Sequence, residues 1–254
     1  MLFNYKNNML ELASILAGLV GFSFVFHGIF LFFSIRKEVI FFYGLTFSKF
    51  YIKLFGVFFV TILLLFIILL WVNITQSLIS VEQKLFNLFT LIKGINVLNS
   101  AILEEVIFRV LVFSSLLYFS KNKIATLIIT SILFSFAHFP QNTLEVTSYF
   151  LGGIMYGYAF LKFQTVWVPI AIHFFWNFIQ GPVLGFPVSG MEHVGFFQIE
   201  IVPEMFFNGG DQGPEGSVLG IMMRCIIILM IIFLKPGPPN PKFLEFKESI
   251  LKMK

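Results

Sequence analysis

Apolar residues run along this chain in long blocks broken by short polar joints, not in the alternation or narrow stripes of a domain folded in water. The blocks fall roughly at 10–35, 51–72, 95–119, 124–138, 147–163, 166–181 and 218–234. A helix needs about 20 apolar residues to cross a bilayer upright, so these blocks read as membrane segments. The fourth, fifth and sixth are short, which suits a protein-lined and partly wet interior where tilted or broken helices are tolerated. The first is too long for a removable leader and lacks a small-residue cleavage site, so it is expected to stay as a span. Lys121 and Lys123 mark a tight turn between the third and fourth blocks, and Pro140 closes the fourth just after His138. Gly152, Gly153 and Gly157 give the fifth a smooth face for close helix contact. The expected fold is all-α: a polytopic transmembrane helical bundle of about seven segments around a polar intramembrane cavity. With no repeat and no dividing linker, the chain 1–254 reads as a single integral membrane domain.

Two stretches are expected outside the membrane. Residues 182–217 carry Pro182, Gly185, Pro187, Gly190, Pro203 and a cluster from Gly209 to Gly216, which is turn chemistry throughout. This loop holds five acids, Glu192, Glu200, Glu204, Asp211 and Glu215, and no Lys or Arg. After Pro236, Pro238, Pro239 and Pro241, residues 242–254 alternate apolar and ionisable side chains and read as a short helix on an anionic membrane surface.

Composition settles the solvent. Of 254 residues, 58% are hydrophobic, 12% are charged and 37 are Phe. A mean hydropathy of +0.92 is that of an integral membrane protein whose surroundings are the lipid bilayer. The pI near 9.1 does not point to nucleic acid, because the charges sit in short loops and a tail. With the 36–50 link in the cytoplasm, twelve of the seventeen Lys and Arg fall on that side and only Lys6, Lys84 and Lys93 on the other. Arg109 and Arg224 remain within the membrane, and the acidic 182–217 loop falls outside. Cys225 stands alone, so no disulfide joins the chain to itself.

Against this background a few polar residues stand out. Glu104-Glu105-Val106-Ile107-Phe108-Arg109 places three ionisable groups in the third block. Each charge at mid-bilayer costs roughly 2.5–3.5 kcal/mol on insertion scales, so all three need partners. Glu105 and Arg109 are four apart and share a helix face, so they can pair. Glu104 lies about 100° round the helix and is left to face something else. The available groups are His138, at the end of the fourth block, and His173 and Asn177, four apart on one face of the sixth. Taken singly, His138 reads as a satisfied interfacial residue, and His173 with Asn177 as either an interhelical hydrogen-bonding pair or a functional one. His27 has no polar partner at helical spacing and reads as structural, and His193 is uninformative. Arg224 would be taken up by an acid of the 182–217 loop or by the cavity wall.

The three clusters in order, Glu-Glu-x-x-x-Arg, Phe-x-x-x-His and His-x-x-x-Asn, form a specific combination over residues 95–181. It resembles the intramembrane proteases that group type II CAAX prenyl endopeptidases with bacteriocin-processing enzymes, the CPBP or Abi family. The resemblance implies an intramembrane endopeptidase of a bacterial plasma membrane, with 95–181 as its catalytic core. Its substrate would be a peptide, a membrane protein or a prenylated protein. Glu104 and His138 would activate water, His173 and Asn177 would bind the oxyanion, and Glu105 with Arg109 would be a structural ion pair.

The chemistry agrees without the family. Peptide hydrolysis needs a base for water, donors for the tetrahedral oxyanion and exclusion of bulk solvent. No Gly-x-Ser-x-Gly, His-Glu-x-x-His or paired intramembrane aspartate is present, so serine, ordinary zincin and aspartyl routes lose support. Glu104, His138 and His173 could also make a three-ligand zinc site with one open position, and the same residues work without metal. Two other readings belong to different classes. One is a non-catalytic scaffold such as a bacteriocin self-immunity protein. The other is a transporter with a proton relay, which the lack of repeat symmetry disfavours.

Overall fold

The computed structural model describes residues 44–45, 47–83, 88–201, 207 and 209–237, all within the unit Tyr43–Pro239. The expected first span at 10–35 with His27, and the expected surface helix over 242–254, lie outside the described residues. Within them, every later apolar block is helical. Helix α1 runs Lys49–Ser77 and is followed by strand β1, Leu78–Gln83. Helix α2, Leu88–Glu105, continues as a π-helix over Val106–Phe113 and then as α3, Ser114–Ser120. Helices α4, Lys123–Ala137, and α5, Thr143–Phe163, come next. Helix α6, Trp167–Phe178, ends in a second π-helical turn, Ile179–Val183, which contains Pro182. Strand β2, Phe197–Ile201, precedes two short 3₁₀ turns, Gly210–Gln212 and Pro214–Gly216, and α7, Val218–Phe233, closes the bundle.

Helix starts follow from local chemistry. Asn122 Oδ1 accepts from the backbone N–H of Ile124 and Ala125 at 3.1 Å each, capping α4. Asn142 and Glu145 form a reciprocal cap on α5: Asn142 Oδ1 accepts from Glu145 N at 3.0 Å, and Asn142 Nδ2 donates to Glu145 Oε1 at 2.6 Å. Ser217 Oγ does the same for α7 through Gly220 N.

The distribution of polarity is inverted relative to a protein in water. Helix α4 buries Thr126, Thr130, Ser131 and Ser135 and exposes Ile124, Ile128, Ile129, Ile132, Leu133 and Phe136. The inward hydroxyls bond to backbone carbonyls: Thr130 Oγ1 donates to Thr126 O at 2.9 Å, and Ser135 Oγ reaches Val146 O on α5 at 2.9 Å. An apolar outer face of this extent fits lipid and not water. Helix α1 has 24 residues long and apolar enough to cross a membrane, Lys49–Val72, and is the single such helix among the described residues. Its buried face, Leu54, Phe58, Ile62, Phe66 and Leu69, packs on the core around Trp176, while Ile52, Val60, Leu64, Ile68 and Trp71 point outward.

Close helix contact uses the expected glycines. A Cβ at Gly153 would fall 2.6 Å from Ser131 Cα, so α4 and α5 meet backbone to backbone there. Gly153→Ala is expected to cost about 1–3 kcal/mol by overpacking. Gly56→Ala, where a Cβ meets nothing within 4 Å, is the matched control. Thermal inactivation in detergent micelles checks this, and equal midpoints would refute it.

The protein is mostly helical, as expected, and to the helices is added a two-stranded antiparallel sheet, β1 with β2, in the register Val81 to Ile199 and Gln83 to Phe197. The 182–217 loop is therefore not turn chemistry throughout. Phe197-Gln198-Ile199-Glu200-Ile201 alternates apolar and polar residues, the period-2 pattern of a strand, and Ile199 is buried in the core. The pairing puts residues 78–83 and 197–201 at one end of the bundle. At the other end Val166 N donates to Gly44 O at 2.8 Å, and Lys162 Nζ donates to Ile232 O, the penultimate residue of α7, at 2.6 Å.

Candidate active site

Glu104 and Glu105 close the regular part of α2, and the π-helix begins at the next residue. Single π turns are most often found at functional positions because they re-aim side chains within an otherwise continuous helix. Ser114 Oγ donates to Arg109 O at 3.0 Å inside this irregular stretch. Glu105 and Arg109 pair across the junction, Nε to Oε2 at 2.9 Å, and both are fully buried. The Arg109 guanidinium lies 5.3 Å from the Phe134 ring and 6.0 Å from those of Phe108 and Tyr156. Its two terminal nitrogens have no hydrogen-bond acceptor among the described residues, so aromatic faces are what surround them. Gly157 makes the room, since a Cβ there would stand 3.4 Å from Nη1.

Glu105 has a second partner. His173 Nδ1 lies 3.0 Å from Glu105 Oε1, and an ionised carboxylate only accepts, so this nitrogen carries the proton. Arg109, Glu105 and His173 therefore form one buried chain. His173 Nε2, on the far side of the ring, is 3.8 Å from Glu104 Oε2. Its face stacks on Tyr156, with centroids 4.6 Å apart and planes at 14°.

His138 caps the end of α4. Its Nδ1 bonds to Phe134 O at 2.8 Å, which makes it the donor and turns Nε2 toward Glu104 Oε2 at 3.5 Å. The ring stacks on Tyr149 with centroids 4.7 Å apart. Both histidines thus point an Nε2 at the same carboxylate oxygen. Glu104 Oε2 is buried and accepts no hydrogen bond from a described residue, while its side chain as a whole stays 32% exposed. The oxygen faces the histidines and the group opens onto free space. Asn177 is buried one helical turn beyond His173.

His138 and His173 are thus brought within 3.5 and 3.8 Å of Glu104, and His173 within 3.0 Å of Glu105 on the other side of its ring. Among the described residues, however, no group of three or more His, Cys, Asp or Glu side chains is placed to share one ion. Glu104, His138 and His173, the residues that could hold a zinc, do not form such a group here.

Arg224 is taken up by the acidic loop. Its guanidinium donates to Glu215 O at 2.8 Å and to Ser148 Oγ, and lies 3.4 Å from Glu215 Oε2. Glu215 also receives Ser189 N and Ser189 Oγ. The residues that sequence reasoning did not single out are Tyr149 and Tyr156. They are seven apart on α5, which puts them on one face, but apolar neighbours on every side hide that signal. His193, in the loop, has a lowered pKa through burial and then the charge of Lys93.

Fold and geometry define a mostly helical protein in which one partly exposed glutamate, Glu104, faces two histidines. Residues 85–179 match the family described as type II CAAX prenyl endopeptidase, Rce1-like. The match begins just before α2 and ends at the close of α6, so it takes in every residue of the three motifs. Members of that family are integral membrane helical bundles with protease activity. No curated protein and no solved structure matches the chain.

Proposed function

We propose that the protein is an intramembrane endopeptidase that hydrolyses a peptide bond in a membrane-associated, peptide or prenylated substrate. The observation that carries this is the convergence of His138 Nε2 and His173 Nε2 on Glu104 Oε2, at 3.5 and 3.8 Å. A water held by Glu104 and His138 gives its proton to the Glu104 carboxylate as its oxygen attacks the scissile carbonyl. Both nitrogens of the His173 ring must be protonated for Nε2 to donate to the resulting oxyanion. The Glu105 carboxylate at Nδ1 then balances the ring's charge, as the aspartate does for histidine in a serine protease. The Asn177 amide supplies a second donor, and Glu104 returns its proton to the leaving amine. Every step runs through side chains of this chain.

Two outcomes follow. Asn177→Ala is expected to keep part of the activity, with kcat reduced by about 10²–10³-fold, the usual effect of one lost oxyanion donor. Treatment with a strong chelator followed by gel filtration is expected to leave kcat unchanged, and loss of activity restored by zinc would overturn the metal-free route. The function itself is tested by comparing peptides released from membranes of cells carrying the unaltered protein with those from cells carrying His138→Ala or His173→Ala. Fragments present only with the unaltered protein are expected. Identical peptide sets at equal protein levels would exclude proteolysis.

A further inference from the structure

We propose that Tyr149 is a positioning residue for His138, and that the 209–217 stretch sets it through the tyrosine hydroxyl. This rests on the reading of His138 as part of a hydrolytic site, but the contacts stand without it.

The two histidines are held unequally. His173 lies mid-helix with Nδ1 on a buried carboxylate, itself paired with Arg109. His138 is the C-cap residue of α4, just past Ala137, next to Phe139 at φ 50° and then Pro140; its Nδ1 bonds to a backbone carbonyl, and its Nε2 lies 3.5 Å from the partly exposed Glu104. A ring at a helix end, tied at Nδ1 by a neutral hydrogen bond, can still turn about its outer torsion. What limits that turn is the pair of rings against it: Phe134, centroid 4.5 Å away, and Tyr149, stacked at 4.7 Å and 25°. Such stacked contacts fix a plane as well as adding attraction.

Tyr149 is in turn fixed from outside the catalytic helices. It is 1% exposed, and its hydroxyl donates to Gln212 Oε1 at 2.8 Å, with Glu215 Oε1 at 3.5 Å. Gln212 and Glu215 belong to the two 3₁₀ turns, and the Glu215 contacts to Arg224 and Ser189 hold that stretch to the bundle. A path of direct contacts therefore runs from the acidic loop through Tyr149 to the face of His138. Outer contacts of this kind commonly decide whether a catalytic group stays within the narrow range of productive geometry.

The full-length protein in detergent micelles, labelled with ¹³C-histidine, gives the test. The His138 signal is assigned by its loss in His138→Gln, and the His173 signal is the internal reference for folding. Tyr149→Leu is expected to displace the His138 ring signal and leave that of His173 in place. Tyr149→Phe and Gln212→Ala remove opposite ends of one hydrogen bond. Each is expected to broaden or shift His138 alike, and the double variant should add nothing further. A His138 signal unmoved in Gln212→Ala and Tyr149→Phe, or additive changes in the double variant, would overturn the proposal. With a fluorescence-quenched, farnesylated peptide ending in a Cys-aliphatic-aliphatic-X sequence as probe, Gln212→Ala is expected to lower kcat about tenfold or more at constant KM. If the unaltered protein fails to cleave that probe, the functional reading for this substrate fails, while the histidine signals still decide the role of Tyr149.

Discussion

Glu104→Ala is expected to remove proteolysis while the protein accumulates at its normal level. A general base contributes typically 10²–10⁴-fold, and no neighbouring carboxylate can replace it. Glu105, the next residue, is fully buried and engaged by both Arg109 and His173. Stability should suffer little, because the Glu104 side chain is 32% exposed and its Oε2 meets the two histidines only at the long distances of 3.5 and 3.8 Å. Glu104→Gln keeps the shape but cannot take a proton, so it should be as inactive as the alanine variant. Purified Glu104→Ala that cleaves at the unaltered rate would end the assignment.

Arg109→Ala should do the opposite, lowering the amount of folded protein. Removing one member of a buried ion pair typically costs about 3–5 kcal/mol, because the other charge is left uncompensated. Here the stranded group is Glu105, with no exposure and only His173 as a remaining partner. The substitution also empties the space between Phe108, Phe134 and Tyr156 where the guanidinium lies. A double replacement, Glu105→Gln with Arg109→Met, removes both charges and should recover much of the stability. It should not recover full activity, because His173 loses the carboxylate that holds Nδ1. Protein yield and thermal inactivation read the first effect, kcat the second. An Arg109→Ala protein that inactivates at the unaltered temperature would show that the pair does not hold the fold. Full activity in the double variant would show that Glu105 does not position His173.

From residue 51 onward, the helices that the apolar blocks form and their approximate ends could be read from the sequence, because a helix satisfies its own backbone and announces itself by length and composition alone. The same local rule made the Glu105–Arg109 pair legible, since four residues on a helix define a face without any knowledge of neighbours. The three motifs and the family they resemble were readable for the same reason, each lying on one helix. Arg224 could be read as needing either an acid, with several on offer in the loop, or the cavity wall. Choosing Glu215 took the folded loop, because a chain of that length can bring any of its acids to the same place. The sheet of β1 and β2 was missed although residues 197–201 alternate, since its partner lies more than a hundred residues earlier and strand pairing is not local. Tertiary structure also decided that Glu105 serves His173 as well as Arg109, because the π-helical turn after it sets where each carboxylate points. For a zinc, ligand types can be listed from a sequence, but whether three of them surround one point depends on how α2, α4 and α6 cross. Tyr149 and Tyr156 carry no signal in an apolar helix. What gives them meaning is the histidine each one faces, and that is a property of packing between helices alone.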